Sequence, residues 1–199
     1  SLRGYHIEGQ RWLEAVLRRA PEADPEFRVR ALISAGMILS QQADFDRARA
    51  VLSEALALAK QHQNAAGIAG AMTHLGACIS FAGDRLKGGQ LLRDALSRWK
   101  DLDNHFYIGL TLNSLADTTF ALESYQEAAS FALEALDHFE EIGDARIASS
   151  AHFRLAVIMW KLGDLAQAVE HILAGLRVSV TFQDRWLLST GVGAALVFM

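Results

Sequence analysis

The chain has 199 residues, 51% hydrophobic and 21% charged, with a net charge of −4, two prolines and one cysteine. So much apolar surface excludes wholesale disorder. The lack of any basic run or stripe excludes the phosphate-backbone grip by which nucleic acid is held, and no segment is long and apolar enough to span a membrane or to serve as a leader.

Residues 3–20 read as one helix. Pro21 and Pro25 then break the chain, Asp24-Pro25 reading as a helix cap followed by proline at the first helical position. Beyond residue 25 no proline interrupts helix formation, and a 40-residue repeat sets in without gaps. Ala35-Gly36, Leu75-Gly76, Leu115-Ala116 and Leu155-Ala156 share one column, and Ala55-Leu56, Ala95-Leu96, Ala135-Leu136 and Gly175-Leu176 share another. Ala48, Gly88, Ala128 and Ala168 form a third, so small residues recur where helices must approach closely. The register runs backward to place Tyr5 under Phe45, and Glu14-Ala15-Val16 under Glu54-Ala55-Leu56.

Each unit divides into two helices. The first ends at a turn such as Gly83-Asp84 or Gly163-Asp164. The second opens at Asp44, Asp84, Ser124 or Asp164, where an oxygen-bearing side chain can accept from free backbone N–H groups, and Ser124 with Glu127 has capping-box spacing. Its apolar or small residues at 48, 51, 52, 55, 56 and 59 follow the helical rule. It ends before Asn64, Asn104, Asp144 or Asp184, which suit turns.

The expected organisation is one repeat domain: a half repeat at 3–20, repeats at 27–66, 67–106, 107–146 and 147–186, and a half repeat at 187–199. One such pair cannot bury its apolar face alone, so the pairs must stack. The expected fold is all-α, a right-handed superhelical solenoid of antiparallel helix pairs with about ten helices and a groove lined by the first helices. The chain opens on Ser1 and stops inside an apolar helical pattern, so it reads as a piece of a longer protein whose truncated ends could self-associate.

Leu75-Gly76, the aromatics Phe45 and Tyr125, and the small residues Ala48, Ala128, Ala168, Ala55, Ala95 and Ala135 stand in columns that resemble the tetratricopeptide repeat. The unit is longer than the usual ~34 residues, as in a long-helix subclass. HEAT repeats share the length without this placement of small residues. The opening Gly4-Tyr5-His6-Ile7-Glu8-Gly9-Gln10-Arg11-Trp12-Leu13-Glu14-Ala15, with Arg47-Ala48-Arg49-Ala50-Val51-Leu52 and Glu141-Ile142-Gly143-Asp144, resembles large bacterial regulators of the LuxR and AfsR type. These join a switch ATPase to a repeat region and a DNA-binding domain. The resemblance implies a segment that binds a protein, a peptide or a small-molecule inducer and holds or releases the switch.

Neither of the other modules is legible: Gly83-Asp-Arg-Leu-Lys-Gly-Gly89 has the wrong order for a phosphate-binding loop. By the same resemblance the groove positions fall at Ile33, Met37, Ser40 and Gln41, at Thr73, Ala77, Ser80 and Phe81, at Asn113, Asp117, Phe120 and Ala121, and at Phe153, Val157, Trp160 and Lys161. The candidate site takes the aromatic and polar members: Phe81, Asn113, Asp117, Phe120, Phe153, Val157, Trp160 and Lys161. Packing between helices would equally account for Phe120, Phe153 and Trp160. Only Asn113 and Lys161 hint at a carboxylate clamp, so that ligand is not expected.

No two of the seven histidines lie three or four residues apart, and no metal or cofactor is expected. Cys78 reads as a buried thiol in a reducing, cytoplasmic compartment. No phrase builds a catalytic triad, so the expectation is a binding protein rather than an enzyme. The leading reading is the sensing segment of a bacterial signal-responsive transcriptional regulator, and the other a free-standing scaffold that binds a partner's peptide or helix.

Overall fold

A computed structural model describes residues 24–181, together with Gly191 and Gly193. Eight helices and no strand fall among these residues, against about ten helices expected. The half repeats at 3–20 and 187–199 lie outside the described residues, apart from those two glycines. In chain order the helices are α1 (Pro25–Gln41), α2 (Phe45–Gln61), α3 (Ala65–Phe81), α4 (Arg85–Asp101), α5 (His105–Ala121), α6 (Tyr125–Glu141), α7 (Ala145–Leu162) and α8 (Leu165–Thr181). They group into two compact units that divide between Leu102 and Asp103.

At most junctions one short polar residue serves two helices. The backbone N–H of Asp44 bonds to the Leu39 carbonyl at 3.0 Å, closing α1, while its carboxylate accepts from the Arg47 N–H and opens α2. The same back-bond recurs at Asn64, Asp84, Ser124, Asp144 and Asp164. Asn64, Asn104 and Asp144, expected as turn residues, also cap the helices that follow, accepting from Gly67, Tyr107 and Ile147. Ser124 departs from expectation and its side chain makes no capping bond. Its backbone matches that of Asp84, so the difference lies in the side chain. The residue before each cap turns left-handed, with φ between 50° and 62° at Ala43, Gln63, Asp103 and Glu123.

In the first unit the apolar stripes of α1 to α3 meet around Leu39, Ala48, Leu52, Leu75, Cys78 and Ile79. Helix α4 completes the unit by laying Leu92, Ala95 and Trp99 inward, and the Trp99 indole donates to the Thr73 hydroxyl at 3.0 Å. The small-residue column sets the helix spacing. A Cβ on Gly88 of α4 would stand 2.6 Å from the Gly76 carbonyl oxygen of α3 and 2.7 Å from the Ser80 nitrogen. Gly67 and Gly70 of α3 receive Val29 and Ile33 of α1, so the two first helices close upon each other.

The second unit repeats the scheme with aromatic side chains in the gaps. Phe139 of α6 fits against the backbone of Gly109, and Phe153 of α7 against that of Gly175. Ser149 donates to the Gly175 carbonyl at 3.0 Å, which ties α7 to α8 through a fully buried hydroxyl. No described helix is long and apolar enough to cross a membrane. Cys78 is 1% exposed, and burial pushes its thiol pKa up, so it is a packing residue rather than a nucleophile.

Two outcomes are expected. Alanine at a helical glycine ordinarily stabilises by about 0.5–1 kcal/mol, yet Gly88→Ala should cost about 1–3 kcal/mol by forcing α3 and α4 apart; urea unfolding would reveal the reversed sign. Burial lowers the His74 pKa from 6.5 to about 4. Between those values the unfolded chain binds a proton that the folded chain refuses, so stability should fall as pH drops through that window. His74→Gln should flatten the loss, measured by urea midpoints across the same range.

Candidate functional site

In the second unit the first helices do not close as they do in the first. The column that holds Gly67 and Gly70 in α3 holds Ile147 and Ser150 in α7, and Ile33 of α1 becomes Asn113 of α5. With side chains where glycines allowed contact, an open cleft of about 460 Å³ forms between α5 and α7. Leu110 and Ile147 give it apolar walls, and Asn113, Asp117, Ser150 and Arg154 give it polar ones.

An ion pair spans this cleft. The Arg154 guanidinium meets the Asp117 carboxylate through two parallel bonds, Nε to Oδ1 at 2.5 Å and Nη2 to Oδ2 at 3.0 Å. This fork geometry is the strong form of the interaction. Burial alone would lower the Arg154 pKa, but the charge and hydrogen bonds of Asp117 outweigh it and hold the guanidinium above its ordinary value. Arg154 is therefore a fixed cation.

Two buried polar atoms in the same place find no partner: Nη1 of Arg154 and Oδ1 of Asn113. Asn113 is only 7% exposed. An unpaired buried donor or acceptor costs about 1–3 kcal/mol. Both atoms belong to residues that line the same cleft, and a small widening of it would present a donor and an acceptor to a molecule with both a carbonyl and an N–H.

Of the eight candidate residues, the structure brings Asn113 and Asp117 together in the cleft. Phe153 is corrected: at 2% exposed, with its ring against Gly175, it is a core residue of the α7–α8 pair and does not line this cleft. Phe120 is half-buried and leans on Tyr125 with ring centroids 5.3 Å apart. Trp160 carries the Lys161 ammonium over its ring at 4.5 Å, a cation–π contact. Val157 is half-buried, and none of Phe120, Val157, Trp160 and Lys161 lines the cleft. Phe81 belongs to the first unit, where it ends α3 and is 62% exposed.

Arg146, Ser150 and Arg154, which complete the site, were not among the residues singled out from the sequence. Translating the groove positions by 40 residues carries Asn113 to Phe153 and Asp117 to Val157. The contact across the cleft instead links residues 37 apart, Asp117 to Arg154. Neighbouring first helices meet flank to flank, one turn out of register. An Asp facing an Arg at that offset was the available signal.

The tetratricopeptide repeat family model matches residues 29–62, so the chain carries such a repeat within its first unit. No curated protein sequence matches it significantly. Among solved structures it is similar to a Rap protein complexed with competence and sporulation factor, at 17% identity and a TM-score of 0.88, over 95% of this chain and 53% of that one. It is also similar to the Rap conjugation gene regulator of plasmid pLS20 in complex with the Phr* peptide, at 14% identity and a TM-score of 0.85, over 96% and 53%. A third is Bacillus thuringiensis PlcR in complex with the peptide PapR7 and DNA, at 13% identity and a TM-score of 0.81, over 96% and 68%. At these identities the likeness establishes the fold, which is TPR-like, and the chain spans about half the length of the two Rap proteins.

Removing Asp117 strands the Arg154 charge. Because 24% of the arginine side chain and 34% of the aspartate side chain stay exposed, Asp117→Ala should cost about 1–2 kcal/mol, less than the 3–5 kcal/mol of a fully buried pair. Adding Arg154→Met should restore part of the loss, as a double-mutant cycle by chemical denaturation would measure.

Proposed function

We propose that this chain is the peptide-sensing segment of a bacterial signal-responsive transcriptional regulator of the LuxR and AfsR type, and that the cleft between α5 and α7 is its docking site. The observation that carries the reading is the pair of unpartnered buried atoms, Asn113 Oδ1 and Arg154 Nη1. An extended peptide offers N–H and C=O groups in alternation, so its backbone can donate to the asparagine and accept from the arginine. Leu110 and Ile147 supply apolar contact for one of its side chains. Further support comes from fold neighbours whose structures hold the Phr* peptide and the peptide PapR7.

The mechanism is differential affinity. A peptide that spans α5 and α7 favours the spacing of those helices at which both hydrogen bonds are made. It therefore biases any attached switch by no more than its difference in affinity for the two states. The Asp117–Arg154 fork holds the arginine in place before the peptide arrives, which lowers the ordering cost of binding.

The test is fluorescence anisotropy of the purified chain against an array of labelled synthetic short peptides, beside Asn113→Ala and Arg154→Met variants. Losing a hydrogen bond to a buried partner should weaken the best peptide by about tenfold or more in each variant. Equal binding by all three proteins, or no peptide bound by the parent, would reject the cleft as a peptide site.

A further inference from the structure

His105 is the first residue of α5, and His138 and Glu141 lie in the last turn of α6. The two helices run antiparallel, so all three side chains gather at the open end of the hairpin, away from the Ala121–Tyr125 turn. His105 Nδ1 stands 2.7 Å from Glu141 Oε2 and 3.3 Å from His138 Nδ1, and one ligand atom from each residue lies within 4.8 Å of the others. The imidazoles meet edge to face, with an interplanar angle of 77°.

With both rings neutral, hydrogen bonding satisfies only part of this arrangement. A proton on His105 Nδ1 can go to Glu141 but leaves the His138 nitrogen facing a donor already in use. A proton on His138 Nδ1 leaves Glu141 facing a lone pair. One nitrogen from each ring and one carboxylate oxygen lie close enough together for a single cation to be shared by all three.

The spacing suits such a cation. Two imidazole nitrogens at ~2.0–2.1 Å from a tetrahedral zinc stand about 3.3 Å apart, and here the separation is 3.3 Å. On the far side of the His105 ring, an Asp103 carboxylate oxygen lies 3.4 Å from Nε2. With a metal on Nδ1 the ring proton sits on Nε2, where this carboxylate can accept it, as in carboxylate–histidine–zinc triads. The Glu141 side chain is 63% exposed and free to swing outward by the roughly half an ångström or more that a tetrahedral metal needs.

We propose that His105, His138 and Glu141 form a binding site for a divalent transition metal of the zinc class, with solvent completing the coordination and Asp103 orienting His105. Two imidazoles and one carboxylate favour such an ion over magnesium or calcium, which prefer all-oxygen sites. Bound there, the metal ties the start of α5 to the end of α6. It stabilises the second unit by mass action without touching the peptide cleft.

The test titrates Zn²⁺ into the chelator-treated chain by isothermal calorimetry, with Co²⁺ absorption as a report on coordination geometry. Glu141→Gln and His138→Gln should each weaken binding by about tenfold or more, and Asp103→Asn by about tenfold. His171→Gln should leave this site unchanged, which separates it from the second histidine pair, His152 and His171, whose Nδ1 atoms lie 2.9 Å apart. Metal-free Glu141→Gln should melt with the metal-free parent, because its exposed side chain carries no packing. The proposal fails if the parent binds no Zn²⁺, or if Zn²⁺ binds equally to the Glu141→Gln and His138→Gln variants.

Discussion

Everything in this chain depends on how closely one helix can approach the next. Two seventeen-residue helices joined by a tight turn leave an apolar face that neither can cover, so each pair must lie on its neighbour. The approach is set by one column of small residues, Ala48, Gly88, Ala128 and Ala168, whose side chains are absent or nearly inaccessible. Aromatic rings enter opposite a glycine, as Phe139 does at Gly109 and Phe153 at Gly175. The backbone there supplies the depth that a side chain elsewhere would occupy.

That constraint also makes the site. Between α1 and α3, glycines in α3 let Val29 and Ile33 close the gap. Between α5 and α7 the same columns hold Ile147, Ser150 and Asn113, and a cleft opens with polar atoms left over. A repeat protein can thus keep one architecture throughout and open a cleft in one unit. It does so by exchanging two glycines for isoleucine and serine, and an isoleucine for asparagine, along the first helices. The Asp117–Arg154 fork is the counterpart of that exchange, since a charge placed at the widened seam needs a partner across it.

The hairpin of α5 and α6 shows a second consequence of the 40-residue unit. Antiparallel helices of equal length bring the first residue of one beside the last turn of the other, so residues 33 apart in sequence become neighbours. No short motif announces the His105, His138 and Glu141 cluster. A scan for histidines three or four residues apart along one helix passes over it, because only His138 and Glu141 share a helix and glutamate was outside that scan.

Much of the fold was legible in the sequence by itself. The helices, their common spacing, the Asp caps at positions 44, 84 and 164 and the small-residue columns all rest on local chemistry: 3.6-residue periodicity, free N–H groups at helix starts, and steric room. Asn113 and Asp117 were legible as well, because polar side chains stand out on a face otherwise made for packing. Three things waited for the tertiary structure: the burial of Phe153, the pairing of Asp117 with Arg154 at an offset of 37 rather than 40, and the meeting of two histidines from different helices. Each depends on the rotation and stagger of one helix against another. Those are set by the summed packing of many side chains, and the periodicity of a single helix carries no record of them.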